Sequence, residues 1–597
     1  MGFTTADMPP VDPAQFGSMP FMARMKLLAL HWCEYGFGGP KQLHMLYVYK
    51  LIAYATLGLV VVGLTTPALG GFGAFLSWWN DPIVYLKLMV WTILFEILGL
   101  ASSSGPLAFK FKPFIGGVLY WSRRNTLRVP PWPGKVPFTR GDHRTSVDVG
   151  IYLAILATLA LLLVHPGERT DLVATGLPPA WGLLLYVALI IVMGLRDKVV
   201  FLAARSEQYI FVMFVFGLAT SFVDMIVAAK IAMFMVWFGA AMSKFGRHFT
   251  NVVAPMLSNT PWITSRGFKR SLYTDFPRDI RPSHVSRTIA HAGGTLVEIV
   301  CPLVMLFSTN RTLTLLAILG IVSMHVVITS TFPLAVPLEW NIFYIYAAFV
   351  IFWGFPAGEG FAVTDLSTPW LAAALVACLT FPILGNLRPD LVSFLPSMRQ
   401  YAGNWASAQW AFRGREVEDK LNQHLVKYND NQIDQLTSLY GAEVAEIFMQ
   451  KAVAWRTMHS QGRALTSLLM RHTDDLDRYV VREAEFVCTT LVGWQFGDAH
   501  LHDEFTIAAV QRRCNFAPGE VIISWTESQP IHRNYVEYKV IDAALGVVER
   551  GTYVVKDATD EQPWLPNGPI KHRVTWTRPG YTAPSDGSQY ARVGEPA

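Results

Sequence analysis

The chain has 597 residues, 52% of them hydrophobic and only 16% charged, with a formal net charge of +5. Soluble globular chains carry about 25% charge, so this composition excludes a wholly water-soluble protein. With no long Lys/Arg block and no basic fold motif, the small positive charge also argues against a nucleic-acid partner.

The first seventeen residues, MGFTTADMPPVDPAQFG, are polar and proline-bearing and do not read as a cleavable signal. The stretch 21–38, FMARMKLLALHWCEYGFG, mixes Arg24 and Lys26 with Leu, Met and Trp32. It is expected to lie on the membrane as an interfacial helix, so residues 1–42 form a tail and an interfacial element.

Residues 43–390 are expected to be the transmembrane helical domain. A spanning helix needs roughly 20 mostly apolar residues. Apolar runs begin near Leu46, Ile83, Val149, Trp181, Tyr209, Met225, Thr295, Leu313, Trp340 and Trp370. The run 209–242 as one helix would be about 50 Å long against a hydrocarbon core of about 30 Å.

Loop charge decides how to read that run. Residues 103–148 hold eight basic residues: Lys110, Lys112, Arg123, Arg124, Arg128, Lys135, Arg140 and Arg144. Residues 243–293 hold eight more: Lys244, Arg247, Arg266, Lys269, Arg270, Arg278, Arg281 and Arg287. The loops at 65–82 and 356–369 hold none, and 165–179 holds only Arg169. Basic loops stay cytoplasmic, and both fall on one side only if 209–242 turns back on itself, near 220–224. About ten spans follow, with both termini in the cytoplasm and the chain in the plasma (inner) membrane.

After Arg388 the composition changes. Residues 391–577 are expected to form a cytoplasmic α+β domain with antiparallel strands. Helical periodicity runs through 413–472. Strands follow in EVIISW and in the hairpin NYVEYKVIDAALGVVERGTYVVKD. Residues 578–597 read as a flexible tail. The five cysteines, Cys33, Cys301, Cys378, Cys488 and Cys514, make no CxxC pair and read as free thiols.

An unpaired charge in hydrocarbon costs at least ~2.5–3.5 kcal/mol, so ionisable residues within spans point to function. Glu96, Asp224, Lys230, Glu298 and His325 lie in or beside apolar segments. Asp224 and Lys230 flank the expected break and are read as a hairpin tip in water. Glu298 stands one turn before Pro302, and His325 sits mid-helix in ILGIVSMHVVITS. In MVWFGAAMSKFGRHF, Lys244 ends a long apolar run, and two readings stand: a snorkelling anchor or a buried base.

The loop 136–149, VPFTRGDHRTSVDV, places Arg140, His143 and Arg144 where they suit an anionic headgroup. The alternative is a salt-bridged cap on the next helix. In GWQFGDAHLHDEF, His500 and His502 would share one face of a strand, but two ligands are not a metal site and no third is identifiable. No GxSxG, HExxH, P-loop or GxGxxG context occurs.

Four stretches then line up in order: VWFGAAMSKFG (236–246), LVEIVCPLVMLFSTNRTLTLLAILGIVSMH (296–325), FPLAVPLEWNIFYIY (332–346) and FLPSMRQYAGNWASAQWAF (394–412). Together they resemble the vitamin K-dependent γ-carboxylase-like and horizontally transferred transmembrane (HTTM) proteins and, more distantly, the lipase maturation factors. As a whole the chain looks most like an uncharacterised family of actinobacterial transmembrane proteins.

The carboxylase resemblance implies Lys244 as a base acting on a reduced quinone. His325 would be a second catalytic group and Glu298 a framework or catalytic group, with Arg311 facing substrate. Arg247, close behind Lys244, departs from that pattern and suits a lipid headgroup instead. Three functions stay open: an enzyme acting on a lipid or quinone, a lipid-handling or transport protein, and an assembly factor whose C-terminal domain binds a protein partner.

Overall fold

The computed structural model describes residues 2–102, 117–331, 338–395, 404–428, 430–494 and 499–591. Lys110 and Lys112, and parts of three quoted motifs (332–337, 396–403 and 495–498), lie outside these residues, as does the end of the tail, 592–597.

Each expected start of a span falls within a helix, but the helices are unequal. Among the described residues, six are long and apolar enough to cross a membrane: Lys41–Thr65, Ser146–Val164, Phe222–Met242, His284–Phe307, Arg311–Thr331 and Thr368–Leu387. A seventh candidate, Leu338–Trp353 with Ala357–Asp365, is bent by 42°. The helices Pro82–Ile97, Ala180–Arg196 and Ser206–Leu218 have 16, 17 and 13 residues. Thirteen residues make about 20 Å of helix, short of a hydrocarbon core. The expectation of about ten spans is therefore not confirmed.

Local chemistry sets the helix ends. The run 209–242 is broken where expected: one helix stops at Leu218, and the Ser221 hydroxyl caps the next by accepting from the Asp224 amide. Thr145 and Asp148 form a capping box at the start of Ser146–Val164, satisfying amides that the helix itself leaves orphaned. Asp224 and Lys230 are not a wet hairpin tip. The Asp224 carboxylate accepts from the Ser367 amide and hydroxyl at 2.8 and 3.0 Å. Lys230 donates to the carbonyls of Phe355 and Phe361. Both side chains are buried and pin the 355–367 loop.

The C-terminal part carries a six-stranded antiparallel sheet in the order β4-β3-β5-β6-β7-β8. The strands are β3 (Ser407–Phe412), β4 (Val480–Glu483), β5 (Val521–Thr526), β6 (Tyr535–Asp542), β7 (Gly546–Val554) and β8 (Arg573–Thr577), and β1 (Tyr273–Asp275) pairs with β2 (Asp279–Pro282) in a separate ribbon. The expected hairpin is β6–β7, and EVIISW supplies β5. Strands β3 and β5 are buried along their whole length, as central strands covered on both faces are. The outer strand β8 is exposed throughout and begins with Arg573.

The helix read as interfacial, Phe21–Tyr35, has its apolar residues covered by protein. Met22, Met25, Leu28 and Trp32 join a core with residues of the helices His248–Asn259 and Ala442–Met458. Trp32 donates to the Pro255 carbonyl at 2.9 Å. Gly36 sits at positive φ, where a Cβ would meet Asn259 Cα at 2.4 Å, so only glycine fits that approach.

The basic segment around 123–144, the N-terminal residues and the sheet region share one face of the helical body. Asp142 pairs with Arg512 and Arg513, Lys198 with Asp503 at 2.9 Å, and Lys451 donates to the Asp7 carbonyl at 2.8 Å.

Candidate functional site

Where the helical body meets the sheet region, a cavity of about 470 Å³ opens, within the range of small-molecule sites. Its membrane-side wall is built from Val236, Trp237 and Ala240, from Met324 and Ile328, and from Val297. Its roof is Trp405, Trp455, Glu485 and Phe486 from the C-terminal part.

Backbone irregularity makes the room. The segment Ile289–Leu296 is a π-helix carrying Gly293 and Gly294, a form enriched at functional sites. The helices His284–Phe307 and Arg311–Thr331 touch where a Cβ on Gly320 would meet Cys301 Sγ at 2.8 Å. Residues of both helices line the cavity. Gly293, Ser323 and Val327 line it and are also exposed, so it reaches the surface between these two helices.

Three of the expected residues converge on this cavity. Lys244, Glu298 and His325 all line it, and they are 5%, 3% and 4% exposed. Lys244 is ion-paired to Glu298 and lies over the Phe249 ring at 5.7 Å. It turns inward and does not snorkel. A buried ion pair is weak evidence for stability, because desolvation offsets attraction. Its position on a cavity wall therefore bears on chemistry.

His325 is held on both sides. Trp237 Nε1 donates to His325 Nε2 at 2.9 Å, and His325 Nδ1 lies 2.7 Å from Asn341 Oδ1. An indole N–H only donates, so Nε2 accepts and Nδ1 carries the hydrogen given to Asn341. The imidazole is neutral with both nitrogens engaged, a wall group rather than a free base.

The remaining expected residues lie elsewhere. Arg311 starts its helix 14 positions before His325, pairs with Glu359 and stacks 4.4 Å from the Trp353 ring. Arg144 is buried against Asp197. Asp148 accepts from Arg196 at 2.7 Å and Arg128 at 3.1 Å. Arg140 and His143 are exposed, His143 beside Asp142 at 3.3 Å, and Arg247 is exposed just beyond Lys244. Within the 136–149 loop, Arg144 and Asp148 are thus taken up in ion pairs, while Arg140 stands at the surface.

His500 and His502 lie on a 3₁₀ turn, not a strand. His502 accepts from Trp410 at 3.2 Å, while His500 faces Ser393 and Glu527. Among the described residues no three His, Cys, Asp or Glu side chains come together as metal ligands.

Sequence reasoning missed the roof. Arg456 donates to Glu483 at 2.9 Å and to Glu485 at 2.8 Å. Burial, and then the neighbouring Glu483 carboxylate, push Glu485 up to about 8 against the pull of Arg456. The two carboxylates share one arginine, and burial favours the protonated form of each. Nothing in the spacing of residues 456, 483 and 485 announces this. The Gly293-Gly294 pair within a helical pattern was a visible signal for the irregular segment.

A helical membrane body with a ligand-sized cavity roofed by the helices Ala442–Met458 and Ala484–Val492 of the C-terminal part defines a polytopic membrane protein with an internal site. The chain belongs to the family described as transmembrane protein of unknown function (DUF3556), matched over residues 1–575. No curated protein and no solved structure matches it, and none of these comparisons supports the carboxylase or HTTM resemblance.

Proposed function

We propose that the protein takes an amphiphilic molecule from the bilayer into this cavity and that Lys244, paired with Glu298, exchanges a proton with it. The observation carrying this reading is the Lys244–Glu298 pair on the wall of a largely apolar, ligand-sized cavity. Such a pair shares one mobile proton in a low-dielectric site, the setting in which a lysine serves as a base. The resemblance to the carboxylases adds a reduced quinone to the lipids as a candidate. Loop charge supports placing the basic face, with both termini, in the cytoplasm of a plasma-membrane protein.

Mass spectrometry of organic extracts from purified protein tests this reading. After incubation in heavy water, wild type should yield a species carrying carbon-bound deuterium, and Lys244→Arg, which keeps charge but cannot act as a base, should yield the same species without it. The same molecule with the same deuterium content from both proteins would refute proton exchange. A second reading, carriage without chemistry, is favoured by His325 having no free nitrogen, and that outcome would select it.

A further inference from the structure

The charges around the cavity sum to very little. Lys244 and Glu298 are paired, and wherever their proton sits, the pair carries no net charge. At the roof, Arg456 faces Glu483 and Glu485. Burial first and then the Glu483 carboxylate favour the protonated form of Glu485, which reduces the negative charge the roof presents. Among the described residues no other Lys, Arg, Asp or Glu lines the cavity.

The membrane-side wall offers little to bind a head group. Ser323 and Thr331 donate back along their own helix, to the carbonyls of Leu319 at 2.7 Å and Ile328 at 3.0 Å. His325 is engaged at both nitrogens. The charged groups able to meet a ligand are therefore Lys244 and Glu298 on the wall and Glu485 at the roof. The exposed lining residues Gly293, Ser323 and Val327 lie between two apolar helices. Entry from that side is entry from lipid.

We propose that the cavity binds an uncharged amphiphile, a hydroxyl or carbonyl head on a hydrocarbon body, entering sideways between the π segment and the Arg311–Thr331 helix with its head at the Lys244–Glu298 end. This rests on the reading of the cavity as an amphiphile site and names the head group it takes. An anionic head would bring a charge that Lys244, already neutralised by Glu298, cannot match. A cationic head would meet Glu298 already paired with Lys244 and Glu485 already paired with Arg456.

Three photoreactive probes with one chain test it: hexadecanol, hexadecyl sulfonate and hexadecyl trimethylammonium, each carrying the same chain diazirine. They are cross-linked to the full chain in nanodiscs, and labelled peptides are mapped. The alcohol should label cavity residues more than about tenfold above either ion, given the cost of an unmatched charge at membrane depth. Glu298→Gln leaves Lys244 unpaired and should turn the preference toward the sulfonate. Should that variant fail to fold, the wild-type order still decides. Equal or stronger labelling by either ion overturns the neutral head group while leaving the amphiphile site standing. Labelling of cavity peptides by none of the three overturns both.

Discussion

Lys244 and Glu298 lie 54 positions apart in the chain and meet with almost no solvent contact. Lys244→Met or Glu298→Leu alone strands a buried charge, and each should lower stability by about 3–5 kcal/mol. The double variant should recover most of that loss, read as thermal unfolding in one detergent. Simple additivity of the two losses would mean that the residues do not act as a pair. Glu485 gives a second test with a definite sign. Its folded-state affinity for a proton is raised, by burial first and then by Glu483. It therefore costs stability as pH climbs from the ordinary carboxyl range, about 4.3, toward about 8. Glutamine imitates the protonated form, so the stabilisation from Glu485→Gln should grow between about pH 5 and about pH 8. A gain that stays flat or shrinks over that interval contradicts the assignment. Lys244, Glu298 and His325 were legible in the sequence because each interrupts an apolar run. Trp237, Asn341 and Glu485 were not, because an indole among aromatics or a carboxylate in a polar stretch has no local oddity. Their roles come from long-range packing alone.

Hydrophobic runs told where helices are, and Ser221 marks a break that loop charge had demanded. Helix length was less legible. The residues of Ser206–Leu218 are as apolar as those of a span, but the helix ends after 13 residues and packs half of them inside protein. Apolar composition alone does not separate a helix buried among neighbours from one facing lipid. Likewise the apolar stripe of Phe21–Tyr35 suits a membrane surface or a protein groove equally, and here the helix His248–Asn259 and the sheet region cover it. Lys230 holds the 355–367 loop by donating to two carbonyls. Lys230→Met leaves both without that donor, at about 1–3 kcal/mol each. Hydrogen exchange in that loop should accelerate, whereas unchanged protection would show that Lys230 does not pin it.

At the scale of the molecule, the two ends of the chain and the basic segment at 123–144 gather on one face, and the loops at 67–79 and 355–367 lie at the far ends of the helices they join. The topology proposed from loop charge puts the gathered face in the cytoplasm. An impermeant maleimide added to intact cells should therefore label Leu76→Cys and spare Arg140→Cys until the membrane is opened, and the reverse pattern would invert the topology. The cavity sits where the helical body and the gathered face join, so both halves of the chain contribute walls, and neither half alone would have disclosed it. The most direct test of its role is a cryo-electron microscopy map of the full chain in nanodiscs made from native lipid. Elongated density should fill the space between the Lys244–Glu298 pair and Met324, with its polar end at the pair. A map in which that space is closed by side chains, or holds only separate water peaks, would contradict an amphiphile site.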